Sequence, residues 1–227
     1  MSNIVTSRII FTNKNDYDTV RNIMKNKDFD LNIIAHLDDD LLIKTGSDYN
    51  LALKLGKELD KVTDNHKVIE ILSKYQHAID KSLNYNYSHS STPVIGFVNY
   101  AVRLNQNLKK YKSTDSYDWT SKNWGARYNT DQTKWSDFSN GFASVVFITK
   151  GSTPMAALTT LALNLNSHIK IASSYEFMPD LAVFRRIDPN GEVSMIPVSN
   201  ADHINLLALS NDIANIDFHN IILNDKP

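Results

Sequence analysis

The segment ASVVFITKGSTPMAALTTLALNL, residues 143–165, decides the fold because it changes from a strand pattern to a helix pattern at one point. β-Branched and aromatic residues from Ala143 to Thr149 indicate a buried strand. Thr153 and Pro154 then offer an N-cap and a first helical residue. The apolar residues that follow recur at helical spacing and predict one buried face: Met155, Leu158, Leu161, Ala162 and Leu165. The segment therefore predicts a strand followed directly by a helix.

Three further strands are predicted after that helix. They begin at His168 in HIKIASSYEF, at Asp180 in DLAVFRRI and at Glu192 in EVSMIPV. The tetrapeptide DPNG at 188–191 separates the last two strands and is a strong turn signal. A short final helix is expected over residues 202–213. The C-terminal part of the chain therefore has the order β-α-β-β-β.

The N-terminal part gives a second β-α pattern. The stretch NIVTSRIIFT from Asn3 predicts a strand, and Asn15 or Asp16 can cap a helix through DYDTVRNIMKNK. A second strand is expected either at Leu31–Ile34 or at Leu41–Lys44. Two β-α-β halves predict the α+β class, and more specifically a ferredoxin-like split βαβ sandwich with helices on one face of the sheet and the other face open.

Three helices are predicted between these halves. The first has apolar residues at helical spacing from Leu51 to Val62, the second follows a break at 63–65, and the third begins at Thr92-Pro93 and ends in the basic turn of Lys109 and Lys110. The sequence therefore predicts three parts. Residues 1–46 form the first part of the sheet, residues 47–115 form an inserted helical segment, and residues 116–227 contain an aromatic loop and the second βαββ part of the sheet.

Composition excludes several classes of protein. There is no cysteine, so disulfides and thiolate metal sites are excluded, and the histidines show no metal-ligand spacing. The 24 Lys and Arg residues balance 25 Asp and Glu residues, which disfavours a generic polyanion binder. No apolar window has the length of a membrane helix and no signal peptide is visible, so we expect a cytoplasmic protein that binds no membrane, no metal and no cofactor.

All three tryptophans lie in or beside the aromatic segment YDWTSKNWGARYN, residues 117–129. One interpretation is a stacking platform flanked by cations, which would take single-stranded bases or a partner protein. The other is a loop pinned to the sheet by buried indoles, with Gly125 allowing a backbone turn. The sequence leaves both open. The candidate binding residues are Trp119, Asn123, Trp124, Arg127, Tyr128, Trp135, Lys109, Lys110 and Glu176.

No pattern of residues indicates catalysis. The acidic run Asp38–Asp40 is typical of a solvated loop or a helix start, and Glu176 is a weak candidate inside a predicted strand. The serines lack a nucleophile elbow, and the sequence around Gly151 lacks the lysine of a phosphate loop. We therefore expect a protein that is not an enzyme.

The aromatic segment is similar to the motif YxWxxxNWGTKW of the YubB-type family of phage and plasmid proteins. The residues that match by identity or like chemistry are Trp119, Asn123, Trp124, Gly125, Arg127 and Asn129. Three more blocks fall in the family's order: NIVTSRIIFT resembles NxVTNRLTVTG, FDLNIIAHLDDDL resembles FDFNKIIPMPExL, and FITKGSTP resembles FxTAWSPP. The chain departs from the family at Tyr128, where a third tryptophan is usual, and at Lys150-Gly151, which replace Ala-Trp. It also departs at Asn13, which replaces a glycine after the first strand, and at Ala35-His36, which replace Met-Pro or similar residues.

The resemblance implies a ferredoxin-like domain and an origin in a mobile element, and it brings no established catalytic residues. Two functions follow as hypotheses. The first is a non-enzymatic accessory factor that binds a host protein or protein complex in the host cytoplasm, a mode of action used by counter-defence inhibitors. The second is a single-stranded nucleic-acid-binding module that uses the tryptophan-rich segment and the open sheet face.

Overall fold

The computed structural model describes residues 3–43, 46, 48–82, 93–139, 141–176 and 178–196. The chain divides into two compact units, which we call the sheet unit (Met1–His36 with Thr120–Pro227) and the helical unit (Leu37–Trp119). The predicted helical segment 47–115 lies within the helical unit. The helix predicted over 202–213 lies outside the described residues. Within the part of the chain that is described, no helix combines the length and hydropathy needed to cross a bilayer.

Six strands form one antiparallel sheet in the order β2-β3-β1-β4-β5-β6. The strands are β1 (Ile4–Phe11), β2 (Asp131–Trp135), β3 (Ala143–Lys150), β4 (Ile169–Tyr175), β5 (Met178–Ile187) and β6 (Val193–Met195). The central strand β1 pairs with β3 on one side and β4 on the other, so that Ser7 lies opposite Phe147 and Ser173. Because the sheet is combined with helices, the predicted α+β class is confirmed.

The helices are α1 (Lys14–Ile23), α2 (Leu31–Ile34), α3 (Tyr49–Leu59), α4 (Asn65–Ser82), α5 (Pro93–Tyr111), α6 (Ser116–Asn123) and α7 (Met155–Leu165), with a 3₁₀ turn at Asp39–Leu41. The predicted helices in these regions are confirmed, but two caps differ from the prediction. The cap of α1 is Asn13, not Asn15 or Asp16; the Asn13 side chain accepts the Asn15 amide. Thr153 does not cap α7; its hydroxyl lies 3.4 Å from the hydroxyl of Tyr175.

One face of the sheet carries the aromatic core of the sheet unit. Phe29 stacks on Phe147 with ring centroids 4.8 Å apart, and Tyr17 of α1 meets Phe11 edge-on. The hydroxyl of Ser167, just after α7, hydrogen-bonds the carboxylate of Asp16 in α1, which ties the end of α7 to the start of α1. Burial of such aromatic surface is the main source of stability for a unit of this kind.

The opposite face of the sheet is not open, which corrects the prediction. Ile10 and Phe184 are each 1% exposed, and Arg8 is 3% exposed. The run Ile9-Ile10-Phe11 puts apolar side chains on both faces of β1, a pattern typical of strands that are covered on both sides. Desolvation lowers the pKa of the buried Arg8 guanidinium to about 10. The centre of this face therefore offers little accessible surface.

The second strand of the sheet lies far from its predicted position. Residues Leu31–Ile34 form the short helix α2, which Asp30 caps by accepting the Asn32 amide at 2.8 Å. The alternative strand at Leu41–Lys44 is also wrong for residues 41–43, which are the ones that the structure describes. Leu41 ends a 3₁₀ turn, and no strand follows it there. The strand that follows β1 in the chain is β2, whose polar sequence DQTKW gave no strand signal.

The three strands predicted near the C-terminal end of the described chain are confirmed as β4, β5 and β6. The predicted turn at 188–191 is present, with the Gly191 amide donating to the Asp188 carbonyl at 2.8 Å. Gly191 has φ +84°, a conformation that glycine adopts without steric cost. Glu176 lies in the turn after β4 rather than inside the strand.

The helical unit has its own core between α3, α4 and α5. Its buried residues are Ala52, Leu55, Ile71, Tyr75, Ile79, Phe97, Tyr100, Ala101 and Leu104. Gly56 lets α3 approach α5 closely, because a Cβ at that position would lie 2.1 Å from the carbonyl oxygen of Ala101. The Tyr75 hydroxyl donates to Glu58 Oε1 at 2.8 Å; burial and this hydrogen bond raise the pKa of Tyr75 to about 12.

Candidate functional site

The aromatic segment is helical in its first half, which corrects the prediction of a loop. Helix α6 runs from Ser116 to Asn123, and the boundary between the two units falls within it, between Trp119 and Thr120. Trp119 and Asn123 are half-buried. A turn follows in the sheet unit, in which the Thr120 hydroxyl donates to the carbonyl of Arg127 at 3.1 Å.

Two of the three tryptophans are tied into the sheet unit by their indole N–H groups. Trp124 is 4% exposed, and its Nε1 donates to the Ala35 carbonyl at 2.8 Å. Trp135 Nε1 donates to the Lys27 carbonyl, also at 2.8 Å, and its ring lies 6.3 Å from the ring of Phe29. A buried indole needs such an acceptor. Trp124 and Trp135 therefore hold segments together; the Trp124 ring is buried, and the half-buried Trp135 ring lies 6.0 Å from the Arg21 guanidinium.

Asn129 has a similar tying role. Its Oδ1 accepts the Leu31 amide at 2.9 Å, and its Nδ2 donates to the Asp30 carboxylate at 2.6 Å. These bonds fix the start of α2 against the end of the aromatic segment. Asn129 thus acts as a structural residue.

Gly125 allows the turn after α6 to pack against the start of α7. Its φ is +76°, and an added Cβ would lie 3.1 Å from the backbone nitrogens of both Met155 and Ala156. The Ala157 amide donates to the Trp124 carbonyl at 3.2 Å. Both the backbone conformation and the close approach therefore require glycine here.

A cavity of about 460 Å³ opens beside this turn. It is lined by Asn3, Ser121, Gly125, Ala126, Arg127, Gly151 and Ser152, and we call it the Arg127 cavity. Hydrogen bonds join the three segments that form it: the Gly151 amide donates to the Asn3 carbonyl at 2.7 Å, and the Ser152 hydroxyl donates to the Gly125 carbonyl. The cavity wall is thus held by the backbone.

Of the candidate binding residues, Arg127 lines this cavity and Tyr128, which is 55% exposed, is next to it in the chain. Lys150 Nζ lies 5.8 Å from the centroid of the Tyr128 ring, within the range of a cation–π contact. A guanidinium, an ammonium and a phenol therefore share one part of the surface of the sheet unit.

Glu176 lies at the same end of the sheet as the Arg127 cavity. Its backbone amide donates to the Ile4 carbonyl at 2.9 Å, next to Asn3, and its side chain is exposed. It is not among the residues that line the cavity.

Lys109 and Lys110 lie in the helical unit, where carboxylates bind them. Lys109 Nζ is 2.5 Å from Asp60, and Lys110 Nζ is 3.1 Å from Asp40 and 3.8 Å from Asp38. Hydrogen bonds with Tyr111 and Asp40 raise the pKa of Lys110, whereas hydrogen bonds from Lys110 and then Tyr111 lower the pKa of Asp40. The basic helix end is thus balanced by neighbouring acids.

A second cavity, of about 480 Å³, lies beside these lysines. It is lined by Asp40, Arg103, Gln106, Asn107, Lys109 and Lys110. The buried Asn107 side chain donates to the carbonyls of Asp40 at 2.8 Å and Thr114 at 3.1 Å, so it anchors the acidic turn. The acidic run at 38–40 therefore stabilises the unit. The described residues contain no group of three side chains placed to hold a metal ion.

Sequence reasoning missed several residues of the Arg127 cavity. Asn3, Ser121, Ala126 and Ser152 are small or polar and carry no chemical signal of their own. The sequence signal that could have found them is their position in the motif segments quoted above. Asn3 begins the segment NIVTSRIIFT, and Ser152 lies in the segment FITKGSTP. The motif blocks meet at this cavity, which the sequence alone did not reveal.

Comparison with known proteins gives one distant likeness. No family model matches the chain, and no curated protein matches it. The crystal structure of a protein api92 from Yersinia pseudotuberculosis, described with the family name DUF1281, covers 88% of this chain and 99% of its own, at 9% identity and a TM-score of 0.41. At that TM-score the likeness supports no statement about the fold or the function of this chain.

Proposed function

We propose that this chain is a divergent YubB-type protein of a phage or plasmid that acts without catalysis, by binding a host protein through the surface around Arg127 and Tyr128. Its activity would be to occupy a surface of that protein, as counter-defence inhibitors do. The observation that carries the proposal is that Arg127 lines a preformed cavity and its chain neighbour Tyr128 is exposed, whereas Trp124 and Trp135 are tied into the fold.

Strand order supports a ferredoxin-like sheet within this proposal. The sequence β1-α1-β2-β3-α7-β4 with the spatial order β4-β1-β3-β2, all antiparallel, is the arrangement expected of a split β-α-β sandwich. In this proposal β5 and β6 extend that sheet, and the helical unit is an insertion between α1 and β2.

The contacts between motif blocks support membership of the family. Trp124 and Asn129 of the aromatic block bind Ala35 and Leu31 of the second block through hydrogen bonds. Two of the positions that depart from the family pattern, Tyr128 and Lys150, contact each other. Matched residues that make structural hydrogen bonds are expected of a diverged relative.

The chemistry of the Arg127 cavity supports binding over catalysis. Within the described part of the chain, Arg127 is the one ionisable residue that lines it, and a guanidinium stays protonated at neutral pH. The Ser152 hydroxyl donates to the Gly125 carbonyl rather than to a base. Nucleophilic catalysis needs a base within hydrogen-bond reach of the nucleophile. Tyrosine and arginine are, by contrast, the residues that dominate protein interfaces.

The nucleic-acid alternative has less support. It relied on exposed tryptophans, a basic helix end and an open sheet face. Trp124 is buried, Lys109 and Lys110 are bound to carboxylates, and the sheet face around Ile10 is covered. Each of the three features is used within the protein, so a stacking groove of the usual kind is disfavoured.

Affinity capture with matched variants tests the proposal. The wild-type protein, the double variant Arg127→Ala/Tyr128→Ala and the control Lys67→Ala on exposed α4 are each immobilised and exposed to host lysate. We expect the wild type and the control to retain one and the same host protein, which then binds in purified form. The double variant should bind it at least about tenfold more weakly, since tyrosine and arginine hot spots contribute about 2 kcal/mol or more. Equal binding by all three would contradict the proposal.

A further inference from the structure

The lining of the Arg127 cavity combines polar groups with a positive charge. Asn3, Ser121 and Ser152 supply polar atoms, and Arg127 supplies the charge. Among the described residues, none that lines it is acidic. A guanidinium presents a planar fork of donors that matches the two oxygens of a carboxylate. The lining is therefore complementary to an anion that accepts hydrogen bonds.

The cavity is preorganised by bonds that do not involve the Arg127 guanidinium. The Thr149 hydroxyl donates to the Ser152 carbonyl at 2.7 Å, and the Thr120 hydroxyl donates to the Arg127 carbonyl at 3.1 Å. The backbone at Arg127 is thus fixed while its side chain is exposed. A fixed wall reduces the entropy lost when a ligand binds.

The rim of the cavity suits an extended protein segment. Ile4, which is 37% exposed, pairs across the sheet with Lys150, and Lys150 contacts the exposed ring of Tyr128. Because Ile4 and Lys150 adjoin the lining residues Asn3 and Gly151 along the chain, apolar surface and a second cation lie close to the cavity. A peptide could place an acidic side chain in the cavity and an apolar neighbour against Ile4 or Tyr128.

Other ligand classes fit this surface less well. Small-molecule sites are mostly apolar and bury most of their ligand, whereas this lining is about half polar and contains a guanidinium. A nucleic-acid strand needs several phosphate contacts and exposed aromatic faces, and Trp124 is buried. One guanidinium in one cavity is sufficient for a single carboxylate.

We propose that the Arg127 cavity binds one aspartate or glutamate side chain from an exposed segment of the partner protein, with Arg127 as the residue that recognises the carboxylate. This inference rests on the proposed function and specifies the chemistry of the partner.

A charge-swap selection tests it. A phage-displayed random peptide library is selected on the wild-type protein, on Arg127→Glu, and on the control Lys67→Glu, which makes the same change of charge on α4. We expect the wild type and the control to enrich peptides with a shared Asp or Glu beside an apolar residue. Arg127→Glu should lose these peptides by at least about tenfold and should bind versions in which the acid is replaced by Lys or Arg. Circular dichroism checks that all three proteins are folded.

Every other result overturns the inference. If no peptides are enriched, if they lack an acidic position, or if Arg127→Glu binds them as well as the wild type does, the cavity is not a carboxylate site. A labelled oligothymidine is measured in parallel, and preferential binding of it through Arg127 would assign the site to phosphate instead. The two proposals can fail separately. If capture from lysate depends on Arg127 and Tyr128 but the selected peptides show no preference for an acidic residue, the proposed function stands and only this inference is overturned.

Discussion

The indole nitrogen of Trp124 donates a hydrogen bond of 2.8 Å to the carbonyl oxygen of Ala35. The ring is 4% exposed, so this bond is made in a site with little access to water. It joins the turn after α6 to the residue that ends α2. The tryptophan that the sequence offered as a stacking surface is thus a tie between two segments of the sheet unit.

Replacing Trp124 should destabilise the sheet unit. Trp124→Phe keeps an aromatic ring but leaves the Ala35 carbonyl without its donor, and should lower the free energy of unfolding by about 1–3 kcal/mol. Trp124→Ala should lower it by about 3–5 kcal/mol, because it also leaves a cavity. Urea unfolding followed by circular dichroism measures both changes.

Tyr128→Phe serves as the control for this series, since the ring is 55% exposed and substitutions at such positions change stability by about 0.5 kcal/mol or less. If Trp124→Phe were no more destabilising than Tyr128→Phe, the indole hydrogen bond would not contribute as the structure indicates.

Much of the fold could be predicted from the sequence because its signals are local. The helical spacing of apolar residues predicted α3, α4 and α7, and the turn residues at 188–191 separated β5 from β6. These signals depend on residues within one or two turns of each other, so they are visible without knowledge of the rest of the chain.

Other parts of the fold depend on tertiary context. The apolar run at 31–34 is too short to distinguish strand from helix, and the cap at Asp30 together with burial of Leu31 decides for helix. The polar strand β2 lies at the edge of the sheet, where side chains face solvent and the usual strand composition is not required.

The candidate site was predicted in part. The sequence identified Arg127 and Tyr128 as candidates but could not separate them from the tryptophans. The acceptors for Trp124 and Trp135 lie 89 and 108 residues away along the chain, so pattern reasoning could not assign them. The polar liners of the cavity are recognisable only when the chain segments are brought together.

Asn107 should stabilise the helical unit more than the surrounding ion pairs do. Asn107→Ala removes the donor for the carbonyls of Asp40 and Thr114 in a buried site, and should cost about 1–3 kcal/mol. Asp40→Asn weakens exposed contacts with Lys110 and Tyr111 and should cost less than Asn107→Ala, because solvent screens exposed ion pairs. Thermal and urea unfolding of the two variants compare them; the reverse order would show that the ion pairs hold the turn.

Tyr75 should make the helical unit less stable at high pH. Burial, with the hydrogen bond to Glu58, raises the pKa of Tyr75 from 10 to about 12 in the folded state. Between these pH values the unfolded chain has lost a proton that the folded protein keeps, so the free energy of unfolding falls as pH rises. The stabilisation is complete below about pH 10 and is lost as pH approaches 12.

The Tyr75→Phe variant tests this pH dependence, because it removes the phenolic hydroxyl group that titrates. We expect the free energy of unfolding of this variant to fall less steeply between about pH 10 and 12 than that of the wild type. Glu58→Gln should give an intermediate slope, since burial of Tyr75 remains. Tyrosinate absorbance of the folded protein follows the titration directly, and identical slopes for the wild type and Tyr75→Phe would contradict the assignment.

Gly125→Ala compared with Gly141→Ala separates backbone strain from close packing at the site. Both glycines have positive φ, +76° and +85°, so each alanine should cost about 1–2 kcal/mol. Only at Gly125 does the added Cβ meet backbone, 3.1 Å from the nitrogens of Met155 and Ala156, whereas Gly141 has nothing within 4 Å.

The Gly125 variant should therefore be the less stable of the two in urea. It should also weaken partner capture, because the start of α7 must move and Gly125 is itself part of the cavity wall that Ser152 holds. Gly141→Ala should capture the partner as the wild type does. If the two variants lost equal stability and both kept full binding, the approach of this turn to α7 would not shape the Arg127 cavity, and the cavity would not need glycine at position 125.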